Sequence, residues 1–479
     1  MNSQGISGPP YEFIHGNSKE IVRMQEQALR KPMGLTHDIF PRVMPHYHSW
    51  INKYGKNYLY WNGIRAQLQI TEPELVKEML RNSEKAFPKM KPTYFFDKIL
   101  GNGLAATESE TWTRHRKLAN HAFNGETLKN MTPTVVASVE TMLQKWKGEE
   151  EKEIEVFKEF KLLASEVISR TAFGSSYLEG EKIFEMLTKL TVMATRNLFL
   201  ARIPIFSQLW KSADEIEADK LEKMIHETVM KIIRKREEKL VTGEADNLGN
   251  DFLGLLINAY HDSDEKNRFS MQELVGECRT FYFAGSETTN SSLAWTMFLL
   301  AIHADWQDKA RAEVMELFGH RNPDSEGIAK LHTITMIINE TLRLYPPANS
   351  TPRKVERQVR LGQLVLPASL ELDIRFLALH HNSDLWGDEV HLFKPERFAE
   401  GIAKATKYNP VAFLPFGLGP RSCVGMSFAM TETKIALSMI LQRYSFSLSP
   451  TYVHSPMSRL TIMPQHGIQL LFRPLHADA

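Results

Sequence analysis

The chain lacks any run of roughly 18 or more apolar residues, although 43% of its 479 residues are hydrophobic. A helix needs about 20 predominantly apolar residues to cross a bilayer, so the sequence predicts no transmembrane helix. Residues 1–10 also lack the charged and then apolar pattern of a signal peptide. We therefore expect the chain as given to be soluble or to associate with a membrane only peripherally.

Cysteine is scarce, and so is an excess of either charge. The two cysteines, Cys278 and Cys423, lie far apart in sequence, which argues against a disulfide framework and favours a reducing compartment. The 58 lysines and arginines nearly balance the 57 aspartates and glutamates. Since such a chain has no global field to attract a polyanion, we expect no nucleic-acid partner, and any charged partner must bind a local patch.

In contrast, residues 415–425 form one dense turn with three glycines, two prolines, an arginine and one of the cysteines. The glycines let the backbone approach a flat ligand closely, the prolines stiffen the approach, and Arg421 can offset nearby negative charge. Such a turn could present the thiolate of Cys423 to a metal. The alternative interpretation is a helix-entry loop with a buried structural cysteine.

The N-terminal part of the chain reads as a mixture of short strands and helices. Residues 58–70 predict a hairpin around Asn62-Gly63, and Thr71 with Glu74 predicts a capping box that starts a helix. Residues 82–106 show no sustained periodicity and predict a long loop, a kind of segment that is often functional.

Helical periodicity dominates residues 126–240, with a break at residues 202–210. That break is apolar, aromatic and interrupted by proline, so it fits either a core crossover or a loop that dips into a membrane. A long helix is predicted over residues 270–302. Because Gly285 costs about 1 kcal/mol in a helix, we expect a local functional distortion there, with a simple packing notch as the alternative.

The C-terminal third predicts further helices, short strands and a closing hairpin. The predicted segments are a helix from Asp305, a helix over 329–345, strands at 359–361, 364–366 and 370–374, a helix over 425–443 and a hairpin over 460–472.

Five motifs along the chain together resemble those of the cytochrome P-450 superfamily. They are W-x-x-x-R at Trp112 and Arg116, A-G-x-E-T-T at 284–289, E-x-x-R at Glu340 and Arg343, P-E-R-F at 395–398, and the cysteine turn from Phe416 to Gly425. The run as a whole resembles the plant clan that oxidises hormones and terpenoids. The resemblance implies one catalytic domain over 1–479, mainly α with small β-sheets, with haem between the long central helix and the helix after the cysteine turn.

The resemblance also implies how the cofactor, haem b, would be held. Cys423 would be the axial ligand of the iron, because a thiolate pushes electron density towards it. Trp112 and three arginines would bind the propionates, since guanidinium geometry suits a carboxylate. The residues implied to contact haem are Trp112, Arg116, Ala284, Gly285, Arg353, Phe416, Arg421, Cys423 and Gly425.

Two further groups of residues take their roles from the resemblance. Thr288 would donate a hydrogen bond on the oxygen side of the haem, and Glu287 would relay protons to it. Glu340, Arg343 and Arg397 would form a buried charged network on the cysteine side, with a structural role.

The substrate pocket implied by the family is largely apolar. It would include the long loop, the turn of helix before Ala284, the segment after Pro347 and a segment near the C-terminus. The residues expected to line it are Phe95, Phe96, Leu104, Phe281, Ala348, Asn349, Ser350 and Met457. We therefore expect a largely apolar small-molecule substrate, such as a plant hormone, a terpenoid or steroid, or a herbicide.

The implied reaction is O2-dependent hydroxylation with electrons from an NADPH-cytochrome reductase. The reductase would dock on the cysteine side, with Arg114, Lys117 and Arg443 as candidate contacts. Relatives of this type are anchored at the cytosolic face of the endoplasmic reticulum, so we expect that an N-terminal anchor is missing from this sequence, that residues 202–210 touch the membrane, and that the protein is a monomer.

The motifs disfavour three other functions. A haem-thiolate isomerase or dehydratase acting on hydroperoxides would need no reductase, but such enzymes lack the acid-threonine pair present at Glu287 and Thr288. A non-catalytic haem-binding protein would not need that pair either. A histidine site for haem or metal at His380-His381 or His115 is disfavoured, because consecutive histidines point to different sides and no metal-ligand spacing accompanies them.

Overall fold

The computed structural model describes residues 1–82, 86–148, 152–175, 177–199 and 211–475. Helices dominate these ranges, as predicted, and they are α1 (Ser18–Leu29), α2 (Phe40–Val43), α3 (Pro45–Tyr54), α4 (Pro73–Arg81), α5 (Tyr94–Leu100), α6 (Ser109–Ala122), α7 (Gly125–Trp146), α8 (Val156–Ala172), α9 (Tyr177–Arg196), α10 (Ala213–Val241), α11 (Phe252–Tyr260), α12 (Met271–Ile302), α13 (Ala304–Phe318), α14 (Ser325–Lys330), α15 (His332–Leu344), α16 (Phe376–His380), α17 (Ser383–Trp386), α18 (Ile402–Ala405) and α19 (Met426–Arg443). Short 3-10 helices lie at Asn2–Gln4, Pro395–Phe398 and Pro410–Ala412.

Within the described ranges, the strands form four small sheets. They are β1 (Asn57–Asn62), β2 (Arg65–Ile70), β3 (Glu153–Glu155), β4 (Arg353–Lys354), β5 (Val359–Leu361), β6 (Leu364–Leu366), β7 (Glu371–Asp373), β8 (Tyr444–Leu448), β9 (Pro456–Ser458), β10 (Ile462–Pro464) and β11 (Gln469–Pro474). The largest sheet has the order β1-β2-β7-β4, in which β2 and β7 run parallel and the other pairs are antiparallel.

The predicted N-terminal hairpin is confirmed, with its turn one residue later than expected. Asn62 pairs with Arg65, which leaves Gly63 and Ile64 as the turn residues. Gly63 has a φ of 59°, in the left-handed region that glycine adopts without strain. The sheet built on this hairpin packs over the second hydrophobic core, which includes Leu68 and Leu372.

The predicted capping box at Thr71 is wrong. Helix α4 begins at Pro73 with Glu72 as its N-cap and no side-chain cap bond. The Thr71 hydroxyl instead donates to the carbonyl of Lys56 across the end of the hairpin. The predicted loop over 82–106 also contains the short helix α5, because Ile99 and other apolar side chains of this stretch pack into the main core.

The predicted closing hairpin over 460–472 is also wrong. Strand β10 pairs with β9, and β11 pairs with β3 on one side and β8 on the other. With both of its edges already bonded, β11 has no free edge to pair with β10. The short strands at 359–361 and 364–366 pair with each other as predicted.

The long helix α12 runs through the middle of the main core, and its predicted bounds are confirmed within one residue. Ser270 and Glu273 form a capping box at its start. It packs against α5, α8, α15 and α19, and a helix contacted on so many sides is buried around most of its circumference.

Among the described residues, no helix is long and apolar enough to span a bilayer. The segment 202–210, predicted to touch a membrane, lies outside the described residues.

Candidate functional site

The cysteine turn is folded by its own backbone hydrogen bonds. The N–H of Cys423 donates to the carbonyl of Phe416 at 2.8 Å, and the N–H of Ser422 donates to that of Gly419 at 3.1 Å. Gly419 has a φ of 78°, and a Cβ there would lie 2.7 Å from the Leu80 carbonyl oxygen. Only glycine fits this position, which explains the glycine-rich sequence of the turn.

Cys423 opens onto a cavity of about 400 Å³ while protein surrounds its other sides. Burial raises the pKa of the Cys423 thiol, whereas the Gly425 N–H and the charge of Arg116 oppose that rise. The same N–H and guanidinium would temper a thiolate charge.

The cavity is lined by all nine residues predicted to contact haem and also by Thr288. From the predicted set, Trp112, Arg116, Ala284, Gly285, Thr288, Arg353, Phe416, Arg421, Cys423 and Gly425 all contribute to its wall. These residues span more than 300 positions in sequence. They come from α6, α12, the start of β4 and the cysteine turn, and the fold brings them together around one cavity.

The arginines of the cavity are held in fixed positions. Arg421 stacks on the Trp112 ring, with its Cζ 4.1 Å from the ring centroid, and it also contacts Glu108. Arg116 donates to the carbonyl of Ser422. Arg353 donates to Thr351 Oγ1 at 2.7 Å, but its buried Nε has no hydrogen-bond partner.

A lysine that no motif predicted, Lys89, joins these arginines. Its Nζ donates to the Ala105 carbonyl at 2.9 Å. The residue lines the same cavity as the arginines. Burial, followed by the charges of Arg353 and Arg421, lowers the pKa of Lys89 to about 7. Burial and Arg421 likewise lower the pKa of Arg353 to about 10.

Mutually repelling cations around a cavity indicate that the cavity takes an anionic group. Glu108 is the acidic group that contacts Arg421 directly and accepts the N–H of Lys89 at 2.8 Å. The unpartnered Nε of Arg353 provides a further donor. The residues present therefore fit a planar cofactor that carries carboxylates at its edge and a metal that accepts a thiolate.

Helix α12 supplies the wall with Thr288 and Gly285. The Thr288 hydroxyl donates to the Ala284 carbonyl at 2.7 Å. A Cβ on Gly285 would lie 2.8 Å from the Ile168 side chain of α8, and the helix is continuous through this point. The expected local distortion is therefore not seen, and the glycine serves as the packing notch that was the alternative.

Glu287 does not line this cavity. Its carboxylate forms an ion pair of 3.0 Å with Lys161 of α8, and Lys161 also donates to Thr188 at 2.9 Å. The structure thus places the Thr288 side chain in the cavity wall. The side chain of the preceding residue, Glu287, lies outside that wall.

The three charged residues predicted to form a network are brought together. Arg343 makes two hydrogen bonds to Glu340, at 2.7 and 2.8 Å, and both side chains are fully buried. Arg397 lies 3.4 Å from the same carboxylate and donates to the Trp386 carbonyl. The backbone N–H of Lys394 also donates to the Glu340 carboxylate, at 3.0 Å.

The predicted substrate residues are divided between two cavities. Leu104 and Phe281 line the first cavity, Phe96 and Asn349 line a second of about 440 Å³, and Ala348 and Ser350 line both. Phe95 and Met457 line neither of these two cavities. Phe95 is 3% exposed and packs into the core from α5, and strand alternation in β9 turns Ser458 towards the second cavity instead of Met457.

The second cavity joins the first and is more polar. Both are lined by Lys89, Ala105, Ala348, Ser350, Thr351 and Arg353. Arg375 lines the second cavity and is paired with Asp373 at 2.8 Å, and Asn349 donates to Ser458 Oγ at 2.6 Å. Asn349 was predicted to line the pocket, whereas sequence reasoning missed Arg375 and Asp373 because no motif includes them.

A cysteine turn that faces a cation-lined cavity beneath a long central helix is the arrangement expected of a haem-thiolate protein. The sequence model of the cytochrome P-450 family matches residues 37–472. The chain belongs to the cytochrome P-450 family, and it is therefore a monooxygenase-type oxidoreductase whose family implies a haem cofactor.

Plant proteins are among the similar sequences. The chain is 55% identical to cytochrome P-450 CYP749A22 of Panax ginseng over 99% of this chain and 91% of that protein. It is 42% identical to 11-oxo-beta-amyrin 30-oxidase of Glycyrrhiza uralensis over 99% of this chain and 92% of that one. Among solved structures, retinoic acid-bound cyanobacterial CYP120A1 matches with a TM-score of 0.82 and 21% identity, covering 98% of this chain and 100% of that chain, which supports the fold.

Proposed function

We propose that residues 1–479 form one catalytic domain that binds haem b through Cys423 and oxidises a largely apolar small molecule with O2. The observation that carries this proposal is that Cys423, Thr288 and a group of buried cations line one cavity. When bound, the haem would supply the oxygen chemistry. The chain would supply the pocket, the charges and the protons.

Each part of the cavity wall has a role in this proposal. Trp112, Arg116, Arg353 and Arg421, together with Lys89, would hold the propionates. The Gly425 N–H would moderate the Cys423 thiolate. The Thr288 hydroxyl lies in the cavity, so it can hold a proton where the substrate is oxidised.

Glu287 would pass protons to Thr288 from outside the cavity. The Glu287 carboxylate is paired with Lys161. To deliver a proton to Thr288, the Glu287 side chain would therefore leave that pair and turn towards the cavity. Lys161 and Glu287 are partly exposed, with 29% and 16% of their side chains accessible, so solvent can resupply the proton.

The two joined cavities support a substrate with an apolar body and a polar end. Phe123, Ile168 and Phe281 make the first cavity apolar, whereas Asn349, Ser458 and Arg375 make part of the second polar. The Glycyrrhiza relative is named as an oxidase of 11-oxo-beta-amyrin. We therefore propose a terpenoid-type or steroid-type substrate whose polar end lies in the second cavity.

The electron donor in this proposal is an NADPH-cytochrome reductase at the cytosolic face of the endoplasmic reticulum, acting on a monomer. Of the three candidate docking residues, Lys117 is exposed. Arg114 is engaged with Glu273, and Arg443 lies 3.8 Å from Glu140. Lys117 is therefore the candidate we favour.

The test combines a carbon monoxide difference spectrum of the reduced protein with turnover assays. The wild type should show the red-shifted band of a thiolate-bound haem, and Cys423→Ser should lose it. Oxidation of a triterpenoid panel should require both NADPH and reductase. Absence of the shifted band would refute the haem-thiolate assignment, and product formation without NADPH would favour an isomerase or dehydratase.

A further inference from the structure

A second cluster of potential ligands lies outside the cysteine site. Asp38 precedes α2, His381 follows α16, and His391 lies between α17 and the 3-10 helix at Pro395–Phe398. Their donor atoms all lie within 4.8 Å of one another. The three come from separate segments, so their meeting depends on the tertiary fold.

The separation within the cluster suits a metal better than a hydrogen bond. His391 Nδ1 and Asp38 Oδ1 are 3.7 Å apart, which is beyond hydrogen-bond distance. Two ligands bound tetrahedrally to zinc, each about 2.0–2.1 Å from the ion, lie roughly 3.4 Å apart. Small side-chain rotations would therefore bring this pair to bonding geometry.

Two ring nitrogens of the cluster lack hydrogen-bond partners. His381 Nε2 is 3.0 Å from the Leu344 carbonyl oxygen, which can only accept, so this nitrogen must carry the proton. The neutral ring then has its lone pair on Nδ1, which is buried and has no hydrogen-bond partner. His391 Nδ1 is also buried without a partner. Metal-bound histidines usually donate their other ring N–H to a carbonyl or carboxylate, as His381 does to the Leu344 carbonyl.

The segments that carry the histidines are fixed by Arg343. Its guanidinium donates to the carbonyls of His380 at 3.1 Å, Val390 at 2.7 Å and Leu392 at 3.3 Å. Each histidine is thus next to a residue that one buried arginine binds. Such preorganisation lowers the cost of bringing ligands together.

The neighbouring histidine takes no part. His380 Nε2 accepts the N–H of Leu414 at 2.8 Å and faces away from the cluster. His380 and His381 thus have different hydrogen-bond partners, in keeping with the argument by which the sequence disfavoured a metal site at this pair. The partners of His381 are distant in sequence, which is why ligand spacing gave no sign of them.

We propose that Asp38, His381 and His391 bind one divalent cation of the zinc class, a site separate from the cysteine turn and independent of the proposed reaction. Two imidazoles and one carboxylate suit Zn²⁺ and similar first-row metals, whereas Mg²⁺ and Ca²⁺ prefer oxygen ligands. The cation would join the segment before α2 to the two segments that Arg343 holds, so its role is structural.

The binding test uses the haem-loaded protein after chelator treatment, titrated with zinc chloride in a calorimeter. Wild type should bind one equivalent. His391→Ala and Asp38→Asn should each weaken that binding at least about tenfold, since even outer-shell changes cost that much. The matched control is His261→Ala, which removes an exposed histidine paired with Glu237 at 2.9 Å, and it should bind as wild type does.

A second measurement separates specific from general effects. Zinc should raise the thermal unfolding midpoint of wild type and of His261→Ala, but not that of His391→Ala, and magnesium should leave all three unchanged. Equal zinc affinity in wild type and His391→Ala, or an equal midpoint shift with magnesium, would overturn the proposal. Haem content is measured for each variant, so that loss of the fold is recognised.

Discussion

At the scale of single residues, Lys89 shows how the fold gives a role to a side chain that has none in the sequence. It lies in a stretch without periodicity, and no motif includes it. The fold encloses it beside Arg353 and Arg421, where burial and then the positive charge of these arginines lower its pKa to about 7. An anionic cofactor would relieve that repulsion, so Lys89 should favour haem retention.

Replacing Lys89 with methionine should therefore weaken haem binding by about ten- to one-hundredfold, because a charged hydrogen bond contributes roughly 1.5–3 kcal/mol. The rate of haem transfer to a haem-scavenging globin measures this. Lys91→Met is the control, since Lys91 is exposed two residues further along. Equal transfer rates for both variants would show that Lys89 does not contact the cofactor.

Thr288→Ala should retain haem and substrate binding but direct electrons to hydrogen peroxide, since the hydroxyl that holds the proton in the cavity is removed. Product and peroxide formed per NADPH are measured together. Thr296→Ala is a matched control, because Thr296 also bonds to its own helix, at Ser292, but does not line the cavity. Full product yield per NADPH in Thr288→Ala would contradict the assigned role.

At the scale of elements, the buried Glu340–Arg343 pair links α15 to the segment that leads to the cysteine turn. Both side chains are fully buried, so each depends on the other for its charge balance. Arg343 in addition binds three backbone carbonyls. Removing either partner leaves a buried charge and frees a connecting segment.

Glu340→Ala should lower the free energy of unfolding by roughly 3–5 kcal/mol and give little haem-loaded protein. Lys56→Ala breaks the 2.9 Å pair with Asp384, in which both side chains are exposed, and should cost at most about 1 kcal/mol. Chemical denaturation and haem content measure both effects. Normal haem content in Glu340→Ala would refute the structural role of the network.

Helix α12 and the loop at residues 101–103 approach so closely that Gly276 has no room for a side chain. A Cβ there would lie 2.7 Å from the backbone nitrogen of Asn102. Gly276→Ala should therefore destabilise the protein by about 1–3 kcal/mol and displace Leu104 from the first cavity. Gly125→Ala, where the added Cβ meets nothing within 4 Å, should leave the unfolding midpoint unchanged or slightly higher.

The elements with strong local signals were predictable. The local signals were the capping box at the start of helix α12 and the turn residues of the hairpin β1–β2. The pairing of β10 and β11 was not predictable from their adjacency, because their partners β9, β8 and β3 lie elsewhere in the chain. In the site, motifs located the cysteine turn and the charged network, whereas Lys89, Arg375 and the pairing of Glu287 with Lys161 depend on tertiary contacts that one sequence does not specify.

At the scale of the whole molecule, buried neutral histidines make the fold sensitive to acid. His454 stacks on Phe298 with 5.0 Å between ring centroids, and burial lowers its pKa from 6.5 to about 4. Because the unfolded chain binds this proton more readily, stability is retained above pH 6.5 and falls as the pH drops towards 4.

His454→Phe should therefore flatten the pH dependence of stability. A pKa lowered from 6.5 to about 4 corresponds to roughly 3 kcal/mol lost by pH 4. Unfolding midpoints of wild type and variant between pH 7 and pH 4.5 measure the difference. If the two proteins lose stability in parallel over that range, His454 does not contribute to the acid sensitivity.

The segment from Ala348 to Arg353 lines both cavities, so it forms a wall shared by the cofactor side and the polar side. In a laboratory evolution experiment, randomising this segment would change substrate choice and haem binding together. Most variants would then be inactive because they bind haem poorly. Phe96, Ser458 and Leu460 line the second cavity alone. A library confined to these three positions would explore new substrates while the catalytic machinery stayed intact.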